Sequence, residues 1–255
     1  MRLALLSDLH ANQQALDACL AHARAQGVDR YAFLGDLVGY GADPVAVVDQ
    51  VMALQAQGAL VIQGNHDAMA VTPPQGDVSM GSSTAEWTHH QLNAVQRGFL
   101  ASLPLTESVE HLLLVHASAD KPEAWRYVDS ERTATVCLDA ARARSTVGGV
   151  AQNHIVVGHV HHQTLYYQGA GRDLMPFKPT VGVGVPVPRL RACVATVGSV
   201  GQPRDGDPRA MYAVYDLAAG RLTFHRVAYD HAAAAAAIRR AGLPEYFAQR
   251  LETGR

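Results

Sequence analysis

The sequence predicts a layered α/β fold in which short buried strands alternate with helices. Apolar runs of strand length recur along the chain, and the first two are followed by segments with helical spacing or a helix-start signal. The connections between these elements are short, as in folds that pack helices and sheets in successive layers. A chain of 255 residues, 48% of them hydrophobic, can bury the core of one such domain. We therefore expect a single domain over residues 1–255.

The first two strand–helix units carry the clearest local signals. Residues 3–6 form an apolar run that predicts a buried strand, and residues 12–25 follow with apolar side chains at helical spacing. Residues 31–34 predict the second strand. The helix after it is expected to begin with Asp43 at the N-cap and Pro44 at the first helical position, where these residue types are favoured. Each unit therefore places a loop between a strand end and a helix.

The middle of the chain continues this pattern with a third strand at residues 60–62. Residues 71–83 are then rich in Pro, Gly, Ser and Thr, which predicts a mobile loop that can close as a lid. A helix containing residues 87–100 is expected after this loop. Two further buried strands are predicted at residues 111–115 and 155–157.

The last third of the chain is expected to form strands and one helix. Residues 169–188 combine β-branched residues with four prolines, so their strands are expected at sheet edges or beside turns. Residues 211–217 and 221–227 flank a short turn and predict a β-hairpin. Asp230 is the predicted N-cap of an alanine-rich helix at residues 231–240.

Composition and charge argue against several classes of protein. A formal net charge of -2 provides no basic surface for an extended nucleic acid. The three cysteines are far apart in the sequence, which predicts neither a disulfide framework nor a zinc knuckle and favours a reducing, cytoplasmic setting. No apolar stretch approaches the roughly 18 residues that span a bilayer, so no membrane insertion is expected. Residues 181–187 could form an edge strand that leaves self-association into a homo-oligomer open, although a core strand or a hairpin is the favoured interpretation.

Metal-ligating residue types stand at or near the ends of the predicted strands. The motifs that contain them occur in the order Asp8-Leu9-His10, Gly35-Asp36, Gly64-Asn65-His66-Asp67, His116 and Gly158-His159-Val160-His161. Because ligands gather at the carboxyl ends of the strands in such sheets, we expect these oxygen and nitrogen ligands to meet at one rim. Two divalent cations held about 3.5–4 Å apart can attack phosphate esters. The sequence therefore predicts a two-metal site.

Each motif by itself has an ordinary structural interpretation. Asp8 can cap a helix, Gly35-Asp36 can form a turn, and His116 can be a structural histidine at the end of a strand. The conjunction of all five motifs in one chain favours a shared metal site.

A carboxylate with two oxygens can bridge two cations, and Asp36 is the candidate for this role. The remaining metal ligands are divided between the two ions, with Asp8, His10 and His161 on the first and Asn65, His116 and His159 on the second. Two dications, two carboxylates and a bridging hydroxide would leave a net charge of about +1, which attracts phosphate without a basic surface. That hydroxide is the predicted nucleophile.

The leaving group of a phosphoester needs a proton, and His66 is the predicted general acid. It is adjacent to the candidate ligand Asn65 and therefore lies beside the metals without necessarily binding them. Asp67 is the predicted orienting partner of His66 and completes the candidate catalytic pair.

This ordered set of motifs resembles the calcineurin-like metallophosphoesterase family. Residues 35–41, 198–208 and 241–244 more narrowly resemble its small bacterial and archaeal phosphodiesterase branch, and the likeness covers nearly the whole chain. The resemblance implies a four-layer αββα sandwich, that is, two mixed β-sheets flanked by helices. It also implies two divalent metal ions, for which manganese is favoured and iron, nickel or zinc are alternatives.

One departure from the family bears on the substrate. Protein phosphatases and the symmetrical dinucleoside tetraphosphate hydrolases that resemble this chain carry a phosphate-clamping arginine where Tyr40 stands here, between Gly39 and Gly41. Arg204, in the Gly-rich loop after a predicted strand at residues 193–197, is the candidate replacement, because a guanidinium matches phosphate oxygens.

These features favour a phosphodiesterase that acts on a small phosphoester or nucleotide, which Arg204 and Asn65 are expected to bind. A phosphomonoesterase or a dinucleoside polyphosphate hydrolase on the same site is the main alternative. A mononuclear zinc hydrolase and a non-catalytic interaction module on this fold are the others.

Overall fold

Two β-sheets lie face to face and helices cover their outer sides. The computed structural model describes residues 1–76, 79–145, 152–169, 171 and 173–255. Within these residues the chain forms two six-stranded mixed sheets and eight α-helices. Strands and helices are numbered below in their order along the chain.

The first sheet combines N-terminal and C-terminal strands. The three strands from the N-terminal part of the chain are parallel to one another, and the strands that follow them across the sheet pair antiparallel. The order across the sheet is β3 (Leu60–Val61), β2 (Arg30–Phe33), β1 (Arg2–Leu6), β11 (Ala210–Asp216), β12 (Arg221–Val227) and β9 (Gly184–Pro186).

The second sheet is built from the middle of the chain. Three neighbouring strands are parallel, and antiparallel strands extend the sheet on both sides. The order is β4 (Thr106–Val109), β5 (Leu112–Val115), β6 (His154–Val157), β10 (Cys193–Val197), β7 (Gln163–Gln168) and β8 (Leu174–Phe177).

The helices flank these sheets and connect their strands. A short 3₁₀ helix at Pro122–Ala124 precedes the longest α-helix. The α-helices are α1 (Gln13–Ala25), α2 (Pro44–Ala56), α3 (Asn65–Val71), α4 (Ala85–Gln91), α5 (Ala94–Ser102), α6 (Glu131–Ser145), α7 (His231–Arg240) and α8 (Glu245–Thr253).

Alternation along the strands assigns side chains to the layers. Leu3 and Leu5 of β1 pack in one buried cluster with Leu114 of β5 and Val156 of β6, between the two sheets. The intervening residues of β1 point to the opposite face, as the two-residue period of a strand requires.

The outer faces of both sheets are covered by helices. Leu6 of β1 packs with Leu16 of α1 and Val47 of α2 in a second cluster. In a third cluster, Ile155 of β6 packs with Leu138 of α6. The order of layers is therefore helix, sheet, sheet, helix, which confirms the predicted αββα sandwich.

Most of the local sequence signals are confirmed. The side chain of Asn12 accepts a hydrogen bond from Ala15 N at the start of α1, and Asp230 caps α7 by accepting from Ala233 N. Asp43 occupies the N-cap of α2 and Pro44 its first turn, although the side chain of Asp43 makes no cap hydrogen bond. The hairpin of β11 and β12 is also confirmed.

The single helix predicted to contain residues 87–100 is wrong, because α4 and α5 are separate helices. Asn93 interrupts them in an extended conformation, with ψ 173°. Its side chain accepts from Gln96 N while Gln96 accepts from Asn93 N, which forms a capping box that starts α5. Helices α6 and α8 and strands β4 and β7 were not predicted.

The proline-rich segment forms edges, as expected. β8 lies at one edge of the second sheet and β9 at one edge of the first, while residues 170 and 172 lie outside the described residues. Self-association through this edge stays a prediction. Residues 77 and 78 of the predicted lid also lie outside the described residues, so its mobility and closure stay predictions.

All three cysteines are free and buried. Among the helices of the described chain, none combines the length and the apolar character that crossing a bilayer requires.

Candidate metal centre

The five motifs lie at one rim of the sandwich. Strands β1, β2 and β3 run parallel in the first sheet, and β5 and β6 run parallel in the second. Asp8, Asp36 and Asn65 follow the three strands of the first sheet, and His116 and His159 follow the two strands of the second. The rim therefore collects side chains from both halves of the chain.

Backbone hydrogen bonds fix these loops against one another. Asp8 N donates to Gly35 O at 3.0 Å, and His10 N donates to Asp36 O at 2.9 Å. Between the two sheets, His159 N donates to Asp8 Oδ2 at 2.9 Å. The loop positions therefore depend on bonds that join distant parts of the sequence.

Several candidate ligands have a strained backbone. A positive φ is uncommon outside glycine and costs roughly 1–3 kcal/mol per residue where it occurs, and such residues cluster at functional sites. This conformation is adopted by Asp8 (φ 54°), His10 (φ 47°), Asp36 (φ 52°), His159 (φ 65°) and His161 (φ 57°). Half of the ten non-glycine residues with positive φ among the described residues are therefore candidate ligands.

Glycines in the motifs allow side chains and loops to approach closely. A Cβ at Gly39 would lie 2.5 Å from His66 Nδ1, and Gly39 has φ 89°. A Cβ at Gly158 would overlap Ser7 Oγ and Asp8 Oδ2. Glycine is required at both positions because any side chain would displace a candidate site residue.

Three side chains form a first cluster that can hold a metal ion, namely Asp8, His10 and His161. His161 Nε2 lies 3.1 Å from Asp8 Oδ1, and His10 Nε2 lies 3.2 Å from His161 Nε2. All three side chains are buried.

The hydrogen bonds of this cluster fix which ring nitrogen faces the metal position. A carbonyl oxygen can only accept, so His10 Nδ1 donates to Val38 O at 3.2 Å and His161 Nδ1 donates to Gln202 O at 2.6 Å. In the neutral imidazoles the lone pairs of both Nε2 atoms then face each other. A cation between them is the natural partner of both, and such backbone bonds typically orient metal-binding histidines.

The second cluster contains Asp36, His116 and His159. His116 Nδ1 donates to Leu34 O at 2.7 Å, and His116 Nε2 lies 3.3 Å from Asp36 Oδ2. Asn65 Oδ1 lies 3.1 Å from the same Nε2 atom. The residues predicted for the second ion are therefore adjacent in space.

Asp36 lies between the two clusters. Its Oδ2 atom is 3.3 Å from His116 Nε2 in the second cluster and 3.8 Å from His10 Nε2 in the first. A further group of side chains that can hold a metal contains His10, Asp36 and His66. The carboxylate is thus within reach of both metal positions.

Both carboxylates of the clusters are ionised. Burial alone would raise the pKa of Asp8, but His161 and His10 hold this pKa well below its ordinary value. Burial likewise opposes ionisation of Asp36, but His116 holds the pKa of Asp36 far below its ordinary value.

Three of the imidazoles are neutral near pH 7, because burial disfavours their charged form. It lowers the pKa of His66 to about 3 and the pKa values of His159 and His161 to about 4. Burial also acts on His116, but the neighbouring Asp36 carboxylate raises the pKa of His116 to about 9. Ionised carboxylates and neutral imidazoles are the forms that bind divalent metals, and a cation beside Asp36 would compete with the proton on His116.

An unsatisfied oxygen tests whether the first cluster fits a cation. Within the described residues, Asp8 Oδ1 is buried and has no hydrogen-bond partner. A buried carboxylate oxygen without a partner is costly, and a divalent cation would satisfy it. Together with the oxygen and nitrogen donor set, this atom indicates that the residues present fit divalent metals such as manganese, iron or zinc.

His66 lies beside both clusters. Its ring centroid is 5.0 Å from that of His10 and 4.3 Å from that of Tyr40. Its backbone N donates to Asp36 Oδ1 at 2.8 Å. The structure therefore brings the predicted general acid to the metal centre.

Asp67 does not orient His66 as predicted. Its Oδ1 atom accepts from Leu37 N at 2.8 Å and Val38 N at 3.3 Å, and its Oδ2 atom accepts from Gly64 N at 2.9 Å. Both carboxylate oxygens thus bind the backbone of the loops after β2 and β3. Asp67 is a positioning residue for these loops.

Arg204 lies on the side of the first cluster. Its guanidinium carbon is 5.7 Å from the centroid of the Tyr40 ring, and its Nη2 donates to Gln202 Oε1 at 2.9 Å. Gln202 is the residue whose carbonyl accepts from His161. The predicted clamp therefore approaches Tyr40, the residue that stands in place of the family's arginine.

Two aromatic residues beside the second cluster were missed by sequence reasoning. The Tyr127 ring stacks on His159 with centroids 4.2 Å apart, and the Trp125 ring meets His116 at 5.9 Å. The only sequence signal was a pair of large aromatic residues flanking Arg126 in a segment without predicted structure.

An αββα sandwich with two buried Asp/His clusters at one rim has the architecture of a metallophosphoesterase. The chain belongs to the calcineurin-like phosphoesterase superfamily, whose domain pattern matches residues 1–220. Membership supports a metal-dependent phosphoester hydrolase.

Individual relatives agree with this membership over nearly the whole chain. A metallophosphoesterase from Sphaerobacter thermophilus has 35% sequence identity and a TM-score of 0.85, with 100% of both chains covered. An uncharacterized protein from Methanocaldococcus jannaschii is 30% identical over 259 residues, which covers 99% of this chain and 98% of that protein. A hypothetical protein from Pyrococcus horikoshii OT3 shares the fold, with a TM-score of 0.75, 18% identity, and 100% and 98% of the two chains covered.

Proposed function

We propose that this protein is a dinuclear metal-dependent phosphoesterase that hydrolyses phosphodiesters. The observation that carries the proposal is the position of Asp36, whose carboxylate lies between two buried clusters of metal-ligating side chains. A shared carboxylate is what a pair of closely spaced cations requires.

The chain supplies a complete set of ligands for two ions. Asp8, His10 and His161 would hold the first, Asn65, His116 and His159 would hold the second, and Asp36 would be shared by both. Two such cations, with manganese the favoured identity, would supply an acidified water as nucleophile and offset charge on the phosphoryl oxygens. The amide nitrogen of Asn65 can also donate to a phosphoryl oxygen.

His66 donates the proton that the leaving oxygen needs. Its imidazole is buried beside both clusters. Asp67 accepts hydrogen bonds from the backbone of the loops that position this ring. The His66 ring is neutral in the free site, but an anionic phosphoester bound beside it would favour the charged imidazolium, so the ring would take up a proton as the substrate binds. That proton then moves to the leaving alkoxide as the ester bond breaks, and the ring returns to its neutral form.

The preference for diesters is supported by the residues around Tyr40. A phosphomonoester carries close to two negative charges near pH 7, whereas a diester carries one. Tyr40 is neutral and occupies the place where the phosphatases that resemble this chain have an arginine. Arg204 is then the one cationic side chain that we assign to the phosphate, which suits a singly charged group.

A comparison of two chromogenic esters tests this proposal. The metal-free protein, prepared with a chelator, is loaded with manganese and assayed with bis-p-nitrophenyl phosphate and p-nitrophenyl phosphate. We expect kcat/KM to be about tenfold or more higher for the diester, a difference of about 1.4 kcal/mol in transition-state stabilisation. Activity should be absent before loading and return with manganese.

The alternatives predict different outcomes of the same experiment. A strong preference for the monoester would overturn the diester assignment and favour a phosphomonoesterase. Two bound ions without turnover of any phosphoester would favour a non-catalytic module, and one tightly bound ion would favour a mononuclear zinc hydrolase.

The free cysteines fit a reducing compartment, and we place the protein in the cytoplasm.

Replacing Arg204 with alanine should weaken the reaction without removing the metals. A charge-assisted hydrogen bond is worth roughly 1.5–3 kcal/mol, so we expect kcat/KM for the diester to fall by about 10- to 100-fold. Arg204→Lys should be intermediate, because it keeps the charge and loses the planar fork. Arg209→Ala is the matched control, since Arg209 pairs with Asp207 at the exposed surface. Equal effects of the variants at Arg204 and Arg209 would contradict a clamp.

A further inference from the structure

A cavity of about 420 Å³ opens beside the second cluster. Its walls include Asn65 and His159, which we assign to the metal site, and Met69 and Thr72 from α3 and its C-terminal end. The volume lies in the range of roughly 300–1,000 Å³ that is usual for small-molecule sites. A ligand in this cavity would therefore be adjacent to a phosphate at the metal centre.

Two aromatic side chains, Trp125 and Tyr127, also line this cavity. Tyr127 lines the cavity and is 53% exposed, although its ring stacks on His159. Trp125 is half-buried and its indole meets the His116 ring. Flat aromatic surfaces that remain uncovered beside a catalytic centre are suited to stacking against a planar ring.

The charge of this cavity excludes several kinds of occupant. Of the described residues that line it, none is Lys, Arg, Asp or Glu. Arg126 lies between the two aromatic residues in the sequence, but its guanidinium is paired with Asp120. The cavity cannot compensate a second phosphate group. Its walls match a neutral, planar, partly polar group.

We propose that this cavity binds the nucleobase of a nucleotide phosphoester, stacked against Tyr127 and Trp125. The proposal rests on the proposed function for the position of the phosphate, and it adds the substrate class. The phosphate lies at the two clusters, with Arg204 on one side and the base on the other. Thr72 supplies a polar group at the cavity wall for the edge of the base or its sugar.

Binding of analogues that cannot be hydrolysed tests the proposal separately from turnover. The probe is the analogue of adenosine monophosphate in which a methylene group replaces the 5′ ester oxygen, and the reference is the same analogue of ribose 5-phosphate. Affinities for the manganese-loaded protein are measured by calorimetry. We expect the adenine to improve affinity about tenfold, as one base stacked on aromatic side chains does, which is about 1.4 kcal/mol.

Variants at Tyr127 assign this gain to the aromatic wall. Tyr127→Ala should reduce the ratio of the two affinities to about twofold or less, while Tyr127→Phe should keep it near tenfold. Tyr167→Ala is the matched control, because Tyr167 is an exposed tyrosine on β7 away from the cavity. A purely structural effect on His159 or on metal content would weaken both analogues equally and leave the ratio unchanged.

The outcomes distinguish failure of this proposal from failure of the proposed function. Equal affinity for the two analogues, or an unchanged ratio in Tyr127→Ala, would overturn the base site even if the protein hydrolyses diesters. A tenfold ratio that depends on Tyr127, in a protein without phosphoesterase activity, would support the base site and reject the proposed catalysis.

Discussion

Asp36→Asn is expected to reduce the diesterase activity at least about a thousandfold and to lower the metal content below two ions per chain. The loss should exceed the 10- to 100-fold that changes around a metal ligand usually cost, because the carboxylate itself is removed. Asparagine keeps the shape of the side chain and an oxygen that can accept from His66 N. It loses the second anionic oxygen, which lies toward both His116 and His10. Turnover and elemental analysis of the purified variant measure the two effects.

The matched control for this change is Asp139→Asn, which alters an exposed carboxylate on α6. It should leave turnover and metal content unchanged. If Asp36→Asn retains two ions with unaltered affinity, Asp36 is not the bridging ligand, and the assignment of this carboxylate to both ions has to be abandoned.

His66→Gln is expected to reduce turnover by about 10²–10⁴-fold while both metals are retained. The defect should depend on the leaving group. An alcohol leaving group, as in a dinucleoside monophosphate, needs a proton and should show the full loss. The p-nitrophenolate ion is a far better leaving group and should show a much smaller one. Comparison of kcat for the two substrates, with elemental analysis of the variant, measures both expectations.

This dependence separates the proposed role of His66 as general acid from a role as metal ligand, because His66 also belongs to a group of side chains that can hold a metal ion. Equal losses for both leaving groups together with loss of an ion would make His66 a metal ligand. His90→Gln provides the control, since His90 is an exposed histidine at the end of α4. Turnover that is unchanged in His66→Gln would exclude His66 from the mechanism.

The sequence predicted the parts of the fold that depend on local signals. Apolar runs at residues 3–6 and 31–34 form β1 and β2, and Asn12 and Asp230 lie at helix starts. Which strands pair could not be predicted in this way. β1 pairs with β11 from the far end of the chain, so its position in the sheet depends on packing between distant segments.

The single helix predicted to contain residues 87–100 ran across a capping signal. Asn93 followed three residues later by Gln96 is the sequence pattern of a capping box, and this pattern starts α5. The reciprocal hydrogen bonds of Asn93 and Gln96 therefore separate α4 from α5.

The candidate site was predictable because its motifs stand at strand ends, where topology gathers them. The partners of Asp67 were not, because its carboxylate binds backbone groups of a loop about thirty residues away. The positions of Trp125 and Tyr127 also depend on tertiary structure, since these residues lie in an irregular segment after the 3₁₀ helix.

The candidate metal centre lies at the boundary between the two sheets, which has a consequence for the stability of the molecule. Asp8 belongs to a loop of the first sheet and His161 to a loop of the second, so a cation held by both would act as a cross-link at the open end of the sandwich. A ligand at a hundredfold excess over its dissociation constant adds about 2.7 kcal/mol to the free energy of unfolding. Scarcity of divalent metal in the cell would therefore shorten the lifetime of the folded protein as well as abolish its metal-dependent activity.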